Sequence, residues 1–97
     1  MMLRFVEIYE SARSHSNNSA RSFALREVLI NSEHVVCVRP DDTHKKLLNE
    51  GKLPEKIDDR QEFSRIYLNR GQVGLDVVVV GNAKLIEQKL NKRVLKG

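Results

Sequence analysis

The sequence has few of the residues that metal sites, disulfide frameworks and membrane helices require. Its 97 residues include one cysteine, no tryptophan and three histidines. One cysteine cannot close an internal disulfide, and scattered histidines do not supply the closely spaced ligands of a structural zinc site. Apolar runs such as Val77–Val80 are far shorter than the roughly 18 residues of a membrane helix. We therefore expect no metal, no cofactor and no membrane partner.

The remaining cysteine and the first residues of the chain indicate a cellular compartment. Cys37 lies in the apolar run Val35–Val38 and is predicted to be a small buried hydrophobic residue. Met1–Phe5 lacks the basic-then-apolar layout of a signal peptide. Both features favour a reducing, cytoplasmic location.

Motifs for catalysis are missing as well. No histidine has a nucleophile-elbow context, and His15, His34 and His44 fall in a polar loop, a turn and a first helical turn, where we expect solvated side chains. Gly71–Gly74 lacks the lysine and the strand-loop-helix setting of a P-loop. The adjacent carboxylates Asp41 and Asp42 favour helix capping over calcium binding, because no glycine-bearing calcium loop follows. We expect a protein that is not an enzyme.

The charge is mildly basic overall and unevenly distributed. The net charge is +4, and residues 65–97 carry seven basic and two acidic residues, a balance of +5. Residues 11–22 form a Ser/Asn-rich stretch that predicts a flexible loop carrying two arginines. Such a loop can place arginines on phosphates. The predicted phosphate-contacting residues are Arg13, Arg21, Arg65, Arg70, Lys89, Lys92 and Arg93.

Hydrophobic periodicity predicts one α+β domain over residues 1–97. The strands are expected at Leu3–Tyr9, Phe23–Ile30, Val35–Arg39, Phe63–Leu68 and Leu75–Val80, and the helices at His44–Asn49 and Ala83–Leu95. This β-β-β-α-β-β-α order favours a mostly antiparallel five-stranded sheet with the C-terminal amphipathic helix packed on one face.

Two strands are expected in the interior of this sheet. Val35–Arg39 is apolar at nearly every position, which predicts a central strand covered on both faces. The valines of Leu75–Val80 place that strand in the middle of the sheet. The first strand is expected at a free edge, where Arg4 and Glu7 would discourage pairing with other chains.

Residues 30–90 resemble the small bacterial regulator RemA and, over a shorter stretch, FlbD-like flagellar proteins. The resemblance is carried by Ile30–Val38, Pro40, Lys45–Gly51, Ser64–Leu68 and Leu85–Leu90. It implies a transcription regulator that assembles into rings and binds DNA through arginines. His34 stands where the family has its turn arginine, and Arg65 is the arginine nearest to the family's paired arginines.

Two functions remain open from the sequence. The first is a small regulatory protein that binds double-stranded DNA through its basic surface as a homo-oligomer. The second is an interaction module, encoded by a phage or its host, that docks on a larger protein and binds no nucleic acid. The size of the chain, its lack of catalytic motifs and a free sheet edge support the second, because exposed edges accept added strands. The basic surface and the resemblance place the first narrowly ahead.

Overall fold

The structure is a computed structural model that describes residues 1–11, 22–54, 56–70 and 73–96. The side chains of Arg70, Val73, Gly74 and residues 92–96 lie outside that description. The elements are β1 (Met2–Ser11), β2 (Ser22–Asn31), a 3₁₀ turn (Ser32–His34), β3 (Val35–Pro40), α1 (Asp42–Asn49), β4 (Phe63–Arg70), β5 (Val73–Val80) and α2 (Ala83–Lys96).

The strands form one antiparallel sheet in the order β2-β1-β5-β4-β3. The predicted α+β class, the element order and the central place of β5 are confirmed. The central place predicted for β3 is wrong, because among the described strands β3 pairs with β4 alone and lies at an edge. The free edge predicted for β1 is also wrong, since β2 and β5 flank it.

β1 and β2 form a long hairpin. They pair in register over ten residue pairs, from Met2 with Asn31 to Ser11 with Ser22, without a bulge. The loop predicted at residues 11–22 is therefore shorter at both ends, and residues 12–21 lie outside the described ranges. β3 is less regular, because its register with β4 shifts between Val35 and Cys37.

A side-chain cap begins each α-helix, and a glycine follows the end of α1. Asp41 accepts a hydrogen bond from the His44 backbone N–H at 3.0 Å, and Asn82 accepts one from the Leu85 N–H at 2.9 Å. Both caps agree with the sequence. α1 ends at Gly51, whose φ of 74° is left-handed and favours glycine.

Helix α2 packs on one face of the sheet, as predicted. Its Ile86 contacts a cluster in which Ile66 and Val79 are fully buried. Phe5 and Ile30 add β1 and β2 to the same cluster. Leu85 was expected beside the apolar stripe of α2, but it is 56% exposed.

A second cluster lies on the other face, under α1. It joins Leu48 of α1 and Leu53 of the following loop to Ile8, Phe63 and Val78 of the sheet. The β4–β5 part of the sheet is therefore covered on both faces. No helix within the described ranges is long and apolar enough to cross a membrane.

Candidate binding surfaces

Arg65, a predicted phosphate-binding residue on β4, is held between two carboxylates. Its guanidinium donates to Asp76 of β5 and to Asp41 Oδ1, the latter at 3.1 Å. The hydrogen bond to Asp76 is the main cause that raises the pKa of Arg65 above its ordinary value, and burial opposes it. A phosphate at Arg65 would have to compete with both carboxylates.

Asp41 is the buried centre of this charged cluster. Its carboxylate accepts hydrogen bonds from the His44 backbone, from His44 Nδ1 at 2.6 Å and from Arg65. Burial acts to raise the pKa of Asp41, but the hydrogen bonds from His44 and Arg65 outweigh it, and the pKa lies below its ordinary value. The cluster joins the start of α1 to β4 and β5.

His44 corrects an expectation from the sequence. Its side chain is only 13% exposed, and its ring lies 5.7 Å from the Phe23 ring in an edge-on arrangement and 6.1 Å from the Phe63 ring. The prediction that the His44 side chain is solvated is wrong, because the contact between its ring Nδ1 and Asp41 holds the ring over the cluster under α1. His34 is exposed as expected, and His15 lies outside the described residues.

Lys89 lies on α2 and contacts the first strand. Its ammonium donates to the Arg4 carbonyl oxygen and lies 4.6 Å from the centre of the Phe5 ring. Side-chain alternation puts Arg65 on the α1 side of the sheet, whereas Lys89 lies on the α2 side. The structure therefore does not bring these two predicted contacts together.

The other predicted contacts stay predictions. Arg13 and Arg21 lie outside the described residues, and the side chains of Arg70, Lys92 and Arg93 are not described. The backbones of these last three lie at the end of β4 and in the last turns of α2.

A groove lies between β3 and α2. Its volume is about 630 Å³. It is lined from the strand by Val35, Val36, Cys37 and Val38, and from the helix by Ala83, Lys84, Glu87, Leu90 and Asn91. Its floor is apolar, and Lys84 and Glu87 stand on the helix side.

The two walls of the groove run antiparallel. Ser64 pairs with Pro40, and the Ser64 hydroxyl donates to the Gly81 carbonyl at 2.7 Å, so the start of α2 lies near the end of β3. Asn91 consequently lies toward Val35. The groove is thus a channel bounded by a strand edge and a helix, and its length follows β3.

A smaller cavity of about 230 Å³ lies near the start of α1. Two of its charged lining residues, Asp41 and Lys45, are engaged within the chain. Lys45 Nζ donates to the Asp59 and Gln61 carbonyl oxygens at 3.0 and 2.9 Å, and Asp41 holds His44 and Arg65. These contacts link the start of α1 to the loop that precedes β4 and to β4 itself, so they stabilise the fold.

The groove was not predicted from the sequence, because β3 was expected inside the sheet. Pro40 was the available signal, since a proline cannot donate to a ladder and within sheets is found on edge strands, at strand ends or at bulges. Cys37, predicted to be buried, is half-buried and lines the groove.

Comparison of the chain with protein-family models, with curated proteins and with solved structures finds no match. The surfaces described above are therefore interpreted from their geometry and chemistry alone.

Proposed function

We propose that the chain is a cytoplasmic, non-enzymatic interaction module that binds an extended segment of another protein along the outer edge of β3. The observation that supports this most is the apolar groove between that edge and α2. A strand edge offers backbone N–H and C=O groups, and a neighbouring helix offers a wall for side chains.

The backbone of β3 has no strand partner on its outer side among the described residues. An added strand would satisfy these groups and extend the sheet beneath α2. β2 forms the other edge, where Phe23 contacts His44 of α1, whereas the groove described above lies beside the β3 edge. The β3 edge therefore combines hydrogen-bonding capacity with a pocket for side chains.

The chemistry of the groove defines the segment that fits it. Val36 is 63% exposed, and the half-buried Val35, Val38 and Leu90 continue its apolar surface. The volume of about 630 Å³ lies within the usual range for ligand pockets. Successive side chains of an added strand alternate between faces, so apolar residues at every second position would enter the groove. An acidic residue beside them would meet Lys84.

DNA binding, which the RemA-like resemblance implies, has less support from the described side chains. Arg65 is paired with two carboxylates, and Lys89 is bound to a backbone carbonyl. The positive charge of residues 65–97 keeps DNA as an alternative outcome of the test below.

The test selects peptides as long as β3 from a random displayed library and measures their affinity by fluorescence polarisation. We expect enrichment of alternating apolar sequences. Val36→Asp should weaken their binding by at least about tenfold, because it places a charge in the apolar groove. Leu85→Asp is the matched control, since Leu85 is similarly exposed at 56% but does not line the groove. It should change the affinity by less than about twofold.

Two results would contradict the proposal. One is peptide binding that Val36→Asp and Leu85→Asp weaken equally. The other is a failure to enrich peptides together with salt-sensitive binding of duplex DNA that is lost when Arg13 and Arg21 are both changed to alanine. The second result would establish the alternative function.

A further inference from the structure

One face of the β1–β2 hairpin is left uncovered in the described structure. Side-chain alternation directs Phe5 toward α2, and Arg4, Val6 and Ile8 toward the opposite face. Ile8 is buried in the cluster under α1. Toward the end of the hairpin where Met2 pairs with Asn31, the apolar side chains on this face are exposed. Val6 is 43% exposed and its neighbour Leu29 is 52% exposed.

Four of the large apolar side chains that are described as exposed share this face. They are Met2, Val6, Leu25 and Leu29. Single exposed apolar residues are ordinary, but a contiguous group on a regular strand pair marks an interaction surface. We call the face formed by these residues with Arg4 and Glu27 the hairpin face.

The centre of the hairpin face is a four-residue checkerboard. Arg4 pairs with Leu29, and the next pair on this face is Val6 with Glu27. The two charges therefore occupy one diagonal, where Arg4 Nε lies 3.5 Å from Glu27 Oε2, and the two apolar residues occupy the other. Both charged side chains are well exposed, at 66% and 62%.

This pattern is self-complementary under one rotation. A two-fold axis along the Val6–Leu29 diagonal places Arg4 of one copy over Glu27 of the other, twice, and sets like apolar residues together. An axis along the strands places each charge over an apolar residue. An axis along the Arg4–Glu27 diagonal places like charges together. Charge complementarity therefore selects the first axis.

We propose that the hairpin face binds a second copy of this chain, with the two hairpins crossing nearly at right angles. Sheets pack face to face at about 10 Å, and near-perpendicular crossing is one of their two common arrangements. Val6 and Leu29 lie on the axis, and the exposed Arg4–Glu27 pairs close the two sides. This dimer leaves the β3–α2 groove of both copies open.

The experiment exchanges the charges and measures association by sedimentation equilibrium over a range of concentrations. The full chain should show a monomer–dimer equilibrium. Arg4→Glu and Glu27→Arg should each weaken dimerisation by at least about tenfold, because each sets like charges together across the axis. An equimolar mixture of the two variants should recover the dimer, since the carboxylate introduced in one variant then faces the guanidinium introduced in the other. The mixture separates the contact between copies from the pair within one chain, which stays broken in both variants.

Controls keep the result interpretable. Leu29→Asp should abolish the dimer through a residue on the axis, whereas Leu75→Asp, at an exposed residue of β5 on the opposite face, should not. Circular dichroism checks that each variant folds. A chain that stays monomeric at every concentration, or variants that do not recover association when mixed, would overturn the proposal. Val36→Asp should leave the dimer intact, so the two proposals can fail separately.

Discussion

The β4–β5 part of the sheet and the β1–β2 hairpin differ in what covers them. In β4 and β5, Ile66 and Val79 are fully buried under α2, and Phe63 and Val78 are buried on the α1 side. In the hairpin, Phe5 and Ile30 are buried on the α2 side, but the opposite face exposes Val6 and Leu29. The β4–β5 pair is buried on both faces, whereas the hairpin is buried on its α2 face and only in part, at Ile8, on the other.

The difference shows where the two proposed binding surfaces lie. The two α-helices of the described ranges cover the centre of the sheet on both faces and leave parts of its outer strands exposed. The hairpin face and the β3 edge both lie in those outer parts. Apolar side chains there, such as Val36 and Leu29, do not stabilise the core and are available for contacts with other chains.

The largest expected effect concerns the covered β4–β5 part of the sheet. Ile66→Ala should lower the free energy of unfolding by about 2–5 kcal/mol, because it leaves a cavity in a fully packed position. Val6→Ala on the hairpin face should cost less than about 1 kcal/mol. Urea unfolding at concentrations where the chain is monomeric measures both. Equal losses would mean that the hairpin face is covered within one chain.

A smaller effect is expected at Asp41, in the covered part of the molecule. Asp41→Ala should lower the free energy of unfolding by about 1–3 kcal/mol, because it removes the cap of α1 and one partner of Arg65. Asp41→Asn keeps an oxygen for the cap and should lose less. Glu27→Ala, at the exposed hairpin pair, should change stability by less than about 1 kcal/mol. A larger loss of stability in Glu27→Ala than in Asp41→Ala would contradict the view that the covered part of the sheet contributes more to stability than the hairpin face.

The smallest expected effect is on how the free energy of unfolding depends on pH. The pKa of Asp41 is lower in the folded chain than its ordinary value of 3.8. The folded state therefore binds this proton less readily than the unfolded state does. The stability from Asp41 is present above the ordinary pKa and is lost as the pH falls through the folded pKa. The free energy of unfolding, measured over a series of acidic pH values, should decline less steeply for Asp41→Asn than for the unchanged chain. Identical profiles would show that other carboxylates govern the decline.

The sequence predicted the type and order of every strand and α-helix because each carries its own period or cap. The alternation in β1, the Asp41 and Asn82 caps and the four-residue spacing of Ile86 and Leu90 are local signals. The valine run of β5 predicted its central place, and the structure confirms it.

Strand order and side-chain burial depend on contacts between distant residues, and there the predictions failed. The run Val35–Val38 resembles a central strand, but its exposed side chain at Val36 and its half-buried ones face a groove rather than a second strand. His44 looked like a surface residue because its partners, Phe23 and Phe63, are far away in sequence. The groove arises only when β3 and α2 meet, and the local signal at Pro40 points to an edge strand but not to a groove.

The most direct test of the proposed function is amide NMR of the full chain during titration with a peptide selected for binding. The proposed strand addition predicts the largest shifts along Val35–Val38, with new protection from hydrogen exchange at those of its backbone amides that point away from β4, and smaller shifts along the α2 wall at Lys84 and Glu87. Shifts centred on β2 or on residues 12–21, with the β3 amides unchanged, would contradict it.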